Sequence, residues 1–68
     1  MKLSVNGEEK IVDLEHPTLD SLLKILALSS KGVIIEKNGT LYREEHFSTT
    51  PLQANDHLEI IHFMGGGA

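Results

Sequence analysis

The chain has 68 residues, no cysteine, and a formal net charge of −4 from six Lys and Arg against ten Asp and Glu. That length makes one domain with a small core, since a fold of this size buries only about 60% of the surface its unfolded chain exposes. The lack of cysteine excludes a disulfide framework, a thiolate metal site and a cysteine nucleophile, and the scattered basic residues leave no stripe for a phosphate backbone.

One Tyr, two Phe and no Trp also argue against a stacking platform for single-stranded nucleic acid. The acidic balance favours basic protein partners over nucleic acid. The longest apolar run, Ile25-Leu26-Ala27-Leu28, falls well short of the roughly 18 residues of a membrane span. The first residues enter a strand pattern directly, without the features of a signal peptide. A soluble cytoplasmic protein with no membrane contact is therefore expected.

Residues Lys2 to Val5 alternate polar and apolar, and Asn6-Gly7 supplies the two residues that tolerate positive φ in a tight hairpin turn. A return strand is expected over Glu9 to Leu14, with Ile11 facing away from Val12 and Leu14. Thr18 after Pro17 is a good helix N-cap, with the Asp20 carboxylate in the first turn. The apolar residues Leu19, Leu22, Leu23 and Leu26 then follow the i, i+3, i+4, i+7 pattern of a single helical face, and Ile25 and Leu28 are expected to widen it. Ser29-Ser30-Lys31-Gly32 should end the helix, with Gly32 in the left-handed cap.

Val33-Ile34-Ile35 reads as an inner strand, and Asn38-Gly39 as a second hairpin turn leading to Thr40-Leu41-Tyr42. The polar stretch from Arg43 to Gln53 is expected to be a loop with at most a short helical turn near His46 and Phe47. Asn55-Asp56 turns the chain into a final strand. The order predicts an α+β fold, a mixed sheet of four to five strands with one amphipathic helix packed across it.

In the last strand, alternation places Leu58 and Ile60 on one face and Ile61 and Phe63 on the other. A single helix covers one face only, so Ile61 and Phe63 are expected to form an exposed apolar docking surface. Three glycines, Gly65, Gly66 and Gly67, come next, followed by Ala68. Ordering costs about 1–2 kcal/mol of backbone entropy per residue, and glycine has no side chain whose burial offsets it. Residues 1–64 are therefore read as the folded domain and 65–68 as a flexible tail, suited to threading a narrow channel and presenting its carboxylate.

Leu3-Ser4-Val5-Asn6-Gly7, Thr18 to Leu23, Val33 to Gly39, Arg43 to Phe47 and Pro51 to Gly67 together resemble ThiS, the thiamine-pathway sulfur carrier family with a ubiquitin-like β-grasp fold. More distantly they are similar to the small subunit of molybdopterin synthase. The resemblance implies that the chain is a carrier rather than an enzyme and has no bound cofactor. In such a carrier an adenylating, ThiF-like enzyme uses ATP and magnesium to activate the terminal glycine. A cysteine desulfurase relay supplies the sulfur, and a ThiG-like thiazole synthase receives it from the thiocarboxylate. Carried over by position, Gly67 is the modified residue with Gly66 beside it, and Ile61, Phe63, Met64, Gly65 and Gly66 meet the partners. Ala68 departs from the pattern, which ends at glycine, so it is either removed or tolerated.

The competing reading is a ubiquitin-like binding module with an inert tail. An enzyme is disfavoured, because His16, His46, His57 and His62 lack metal-ligand spacing. Glu8-Glu9 and Glu44-Glu45 are adjacent pairs that strand geometry turns to opposite faces or solvent.

Overall fold

Two Asn-Gly turns set the frame. Asn6 and Gly7 have φ of 51° and 83°, and Asn38 and Gly39 have φ of 52° and 90°. Left-handed residues at both central positions give a turn whose twist matches the flanking strands. The first turn joins β1 (Lys2–Val5) to β2 (Glu8–Ile11), and the second joins β3 (Val33–Lys37) to β4 (Thr40–Tyr42). Between the hairpins lies the helix α1 (Leu19–Ile25), and after them come a single 3₁₀ turn (Glu44–His46) and β5 (His57–His62). This is a computed structural model, and it describes residues 1–63.

The sheet has five strands in the order β2-β1-β5-β3-β4, the upper end of the expected range. The last strand is thus the central one. It runs parallel to β1, with Val5 opposite Leu58, and antiparallel to β3, with Ile35 opposite Ile60. The return strand, Glu8–Ile11, is shorter than its pattern suggested, and its pairing with the N-terminal strand closes at Val12, whose N–H donates to the Met1 carbonyl and whose carbonyl accepts from the Met1 amino group, both at 2.9 Å. Ile11 points outward at 81% exposure while Val12 is buried, the opposite facing that alternation required.

Helix α1 starts where its cap demands. Thr18 Oγ1 accepts the Ser21 N–H at 3.1 Å and Ser21 Oγ accepts the Thr18 N–H at 2.8 Å, a reciprocal capping box that satisfies two donors left over at a helix start. Leu19, Leu22 and Leu23 are fully buried, in one cluster with Leu3, Val5, Val33, Ile35, Leu58 and Ile60. Ile25 departs from its expected place and is half exposed. At about 100° per residue it lies roughly 110° from the centre of that leucine stripe, beyond its edge.

The helix also ends earlier than Gly32. Ala27 takes the left-handed position with φ 60°, and the Leu28 N–H reaches the Leu23 carbonyl at 2.9 Å while the Ala27 N–H reaches that of Lys24 at 3.0 Å. This is a Schellman closure with alanine where glycine is the usual residue. A Cβ in that conformation crowds the following carbonyl. Ala27→Gly is therefore expected to raise the stability by about 0.5–1 kcal/mol, read from the shift of the urea midpoint at unchanged slope. Gly32 serves the entry to β3 instead, where its carbonyl accepts the Phe63 N–H at 2.8 Å.

The segment after β4 closes the core from the far side. Phe47 and Leu52 are both buried, and the backbone between them is tied to the start of α1. Asp20 N–H donates to the Phe47 carbonyl, Leu19 N–H to that of Thr50 and Leu52 N–H to that of Pro17, at 3.1, 3.1 and 2.9 Å.

Candidate docking face and the base of the tail

The inner face of the sheet carries the core, and the helix covers it. The outer face divides into two halves by chemistry. On β1 and β2 it is polar apart from Ile11, which lies opposite Lys2: Lys2 Nζ pairs with Glu9 Oε2 at 3.1 Å, and Ser4 stands opposite both Glu9 and His57. On β3, β4 and β5 it is apolar with an acidic margin. Ile34 faces Ile61 directly across the β3–β5 pair, and Glu36 faces Glu59 on one side and Leu41 on the other.

Leu58 and Ile60 are buried, whereas Ile61 is 40% exposed and Phe63 55%. The alternation expected for the last strand is therefore the one observed. Phe63 extends the β3–β5 pairing by one hydrogen bond and borders a shallow recess with Gly32, Ile34 and Arg43. Leu41, 62% exposed, carries the apolar surface onto β4. Ile34 and Leu41 were not singled out from the sequence, although the alternation of Val33-Ile34-Ile35 held the signal for the first: its neighbours are buried and it is not.

Met64, Gly65, Gly66, Gly67 and Ala68 lie outside the described residues. The last described residue, Phe63, follows the central strand and is exposed on the face that the helix leaves uncovered.

Among the described residues, no group of three His, Asp or Glu could hold a metal ion. Glu8 and Glu9 are engaged in surface ion pairs with Lys10 and Lys2, and Glu44 accepts the Ser30 hydroxyl at 3.1 Å. Such exposed contacts stabilise by at most about 1 kcal/mol each. No helix among the described residues is long and apolar enough to cross a membrane.

The sequence pattern of the ThiS family matches residues 2–67. The chain belongs to the ThiS family. A curated relative, the sulfur carrier protein ThiS of Bacillus subtilis, is 34% identical over 65 residues, covering 96% of this chain and 98% of that protein. A solved structure, the thiamine biosynthesis protein ThiS from Geobacter metallireducens, superposes with a TM-score of 0.82 at 36% identity, over 98% of this chain and all of that one. The sheet and helix described above are thus the β-grasp fold of ThiS. A third likeness is to a thiazole synthase of Magnetococcus marinus, 33% identical over 67 residues, where the chain spans 98% of itself but only a fifth of that protein's length.

Proposed function

We propose that this ThiS-family chain carries sulfur as a thiocarboxylate on Gly67 and delivers it to thiazole formation in thiamine biosynthesis, in the cytoplasm. A ThiF-like adenylating enzyme is the first partner. Once the Gly67–Ala68 peptide bond has been hydrolysed and alanine released, this enzyme uses ATP and magnesium to join the freed Gly67 carboxylate to AMP, releasing pyrophosphate. A sulfur nucleophile from a cysteine desulfurase relay then displaces AMP and leaves the sulfur on the acyl carbon. Activation is needed because a terminal carboxylate, with a pKa near 3.5, is an unreactive anion at neutral pH.

The observation that carries this reading is the exposure of the last described apolar residues, just before the glycines in sequence. Strand β5 brings Ile61 and Phe63 out onto the uncovered face immediately before Met64 and the glycines Gly65, Gly66 and Gly67, so a partner that grips this face holds the residues leading to the carboxylate. Glu36 and Glu59 stand opposite each other at the margin, and neither is in an ion pair among the described residues. Like charges so placed are unfavourable in the free sheet and complement a basic surface on a partner. Support for Gly67 comes from the family match, which runs through that residue and leaves Ala68 outside it.

A ThiG-like thiazole synthase is favoured as the receiver over a molybdopterin route, because the M. marinus thiazole synthase contains a segment similar to nearly all of this chain. Intact-mass measurement of the chain ending at Gly67, after incubation with ATP, magnesium, the adenylating enzyme and a sulfur donor, tests the carrier reading. Exchange of one oxygen for sulfur, localised to Gly67, is expected. An unchanged mass with an enzyme that thiolates its own carrier would leave only the binding module with an inert tail.

The face itself has a separate test. Phe63→Ala should weaken binding to the adenylating enzyme at least tenfold, as loss of an aromatic anchor does, and barely move the melting temperature. Leu58→Ala, which opens a cavity in the core, should cost about 2–5 kcal/mol of stability. Unchanged affinity of the Phe63→Ala variant in titration calorimetry, with Leu58→Ala destabilised in the thermal melt, would show that the partner docks elsewhere.

A further inference from the structure

The two Asn-Gly turns are alike in backbone and unlike in what surrounds them. Both asparagines reach the central strand with the side-chain oxygen: Asn6 Oδ1 accepts the Ile60 N–H at 2.7 Å, and Asn38 Oδ1 accepts the His57 N–H at 2.9 Å. Only Asn38 also uses its nitrogen against a carboxylate. Its Nδ2 donates to Asp56 Oδ1 at 2.9 Å, and Asp56 Oδ2 in turn accepts the Gln53 N–H at 2.8 Å. Asp56 is only 6% exposed, so Asn38 is the neutral donor that lets this carboxylate sit at the junction of the β3–β4 hairpin with β5.

An asparagine followed by glycine carries its own modification chemistry. The glycine nitrogen, unshielded by any Cβ on its own residue, attacks the side-chain carbonyl carbon and expels ammonia. Water then opens the cyclic imide at one of its two carbonyls, giving aspartate or isoaspartate. One water is consumed and one ammonia released, with no oxidant or enzyme required.

We propose that Asn38 is a spontaneous deamidation site whose aspartyl product unlocks the β3–β4 hairpin from β5, while the aspartyl product at Asn6 leaves the fold standing. At Asn38 the product exchanges an N–H donor for a second carboxylate oxygen at hydrogen-bond distance from a nearly buried one. Both cannot remain charged there without an outward movement or an uptake of a proton. At Asn6 the product keeps the acceptor that Ile60 N–H needs, and a charged acceptor strengthens that bond. Both side-chain atoms of Asn38 are held in the closed hairpin, so attack requires opening, and the product then prevents reclosure. The proposal stands independently of the sulfur-carrier reading.

Three variants test it by thermal melting at pH 7: N6D, N38D, and the swap N38D/D56N, which returns one amide and one carboxylate to the junction with the roles exchanged. N6D should melt within about 2 °C of the parent, and N38D about 10 °C or more below it or not fold at all, the range expected in a domain this small for losing a buried polar pair. The swap should recover at least half of that loss. Ageing the parent protein at pH 9 and mapping peptides should show Asn6 converting ahead of Asn38, and the fraction deamidated to aspartate at Asn38 should melt with N38D. The proposal is overturned if N38D melts with N6D, if the swap recovers nothing, or if Asn38 converts as fast as Asn6.

Discussion

A chain ending at Gly67 is expected to be adenylated and thiolated roughly ten- to a hundredfold faster than the chain that carries Ala68. Three consecutive glycines suit a channel only as wide as the backbone, and a terminal methyl group must enter that channel with the carboxylate. Overpacking a tight fit typically costs about 1–3 kcal/mol, and each 1.4 kcal/mol is about a factor of ten in rate. Deleting Gly67 as well should abolish transfer, because it withdraws the carboxylate by about 3.5 Å, one residue of extended chain. Pyrophosphate release and intact mass, followed for the three lengths with the same adenylating enzyme, measure both effects. Equal rates with and without Ala68, with sulfur found on Ala68, would show that the channel accepts a side chain.

Phe47→Ala is expected to be the most destabilising single truncation, at about 3–5 kcal/mol. Phe47 is 1% exposed and the largest of the fully buried side chains, and its own carbonyl caps the Asp20 N–H at the start of α1. Emptying its site removes core volume and loosens the segment that holds the helix start. Natural domains are stable by only about 5–15 kcal/mol, with small ones at the low end, so a large fraction of the variant should be unfolded at 37 °C. Phe47→Leu, which keeps most of the volume, should fold and show an intermediate loss in urea titration. Near-parental stability of the alanine variant would mean that the loop from Arg43 to Gln53 closes over the core without its aromatic anchor.

The elements legible in the sequence are those with a period. The two Asn-Gly turns, the Thr18 cap and the Leu19-Leu22-Leu23 stripe each combine a local preference with the tertiary contact it serves, and all three stand as expected. The exposure of Ile61 and Phe63 followed from alternation together with the presence of a single helix. Phe47 was not legible as core, because the stretch around it has neither helical nor strand spacing. Its burial depends on three backbone hydrogen bonds to residues more than twenty positions away. Ala27 was missed for a related reason: any residue can be forced into a left-handed cap when the contacts beyond it reward the turn, and the sequence around Gly32 offered a better cap than the fold uses. The reading of Gly65, Gly66 and Gly67 as a tail falls outside the described residues.

The central position of β5 also sets when the protein can exist at all. Strands β1 and β2 form one hairpin and β3 and β4 another, and β5 alone joins them, parallel to one and antiparallel to the other. An isolated two-stranded hairpin is at best marginally stable in water, so a nascent chain lacking residues 57–62 has two loose ribbons and a helix with nothing to lie on. During synthesis, at about 5–20 residues per second, the domain must wait for nearly its whole length before it closes. The strand that completes the sheet is also the one that carries Ile61 and leads to Phe63, so the exposed apolar face exists only once both hairpins have been joined.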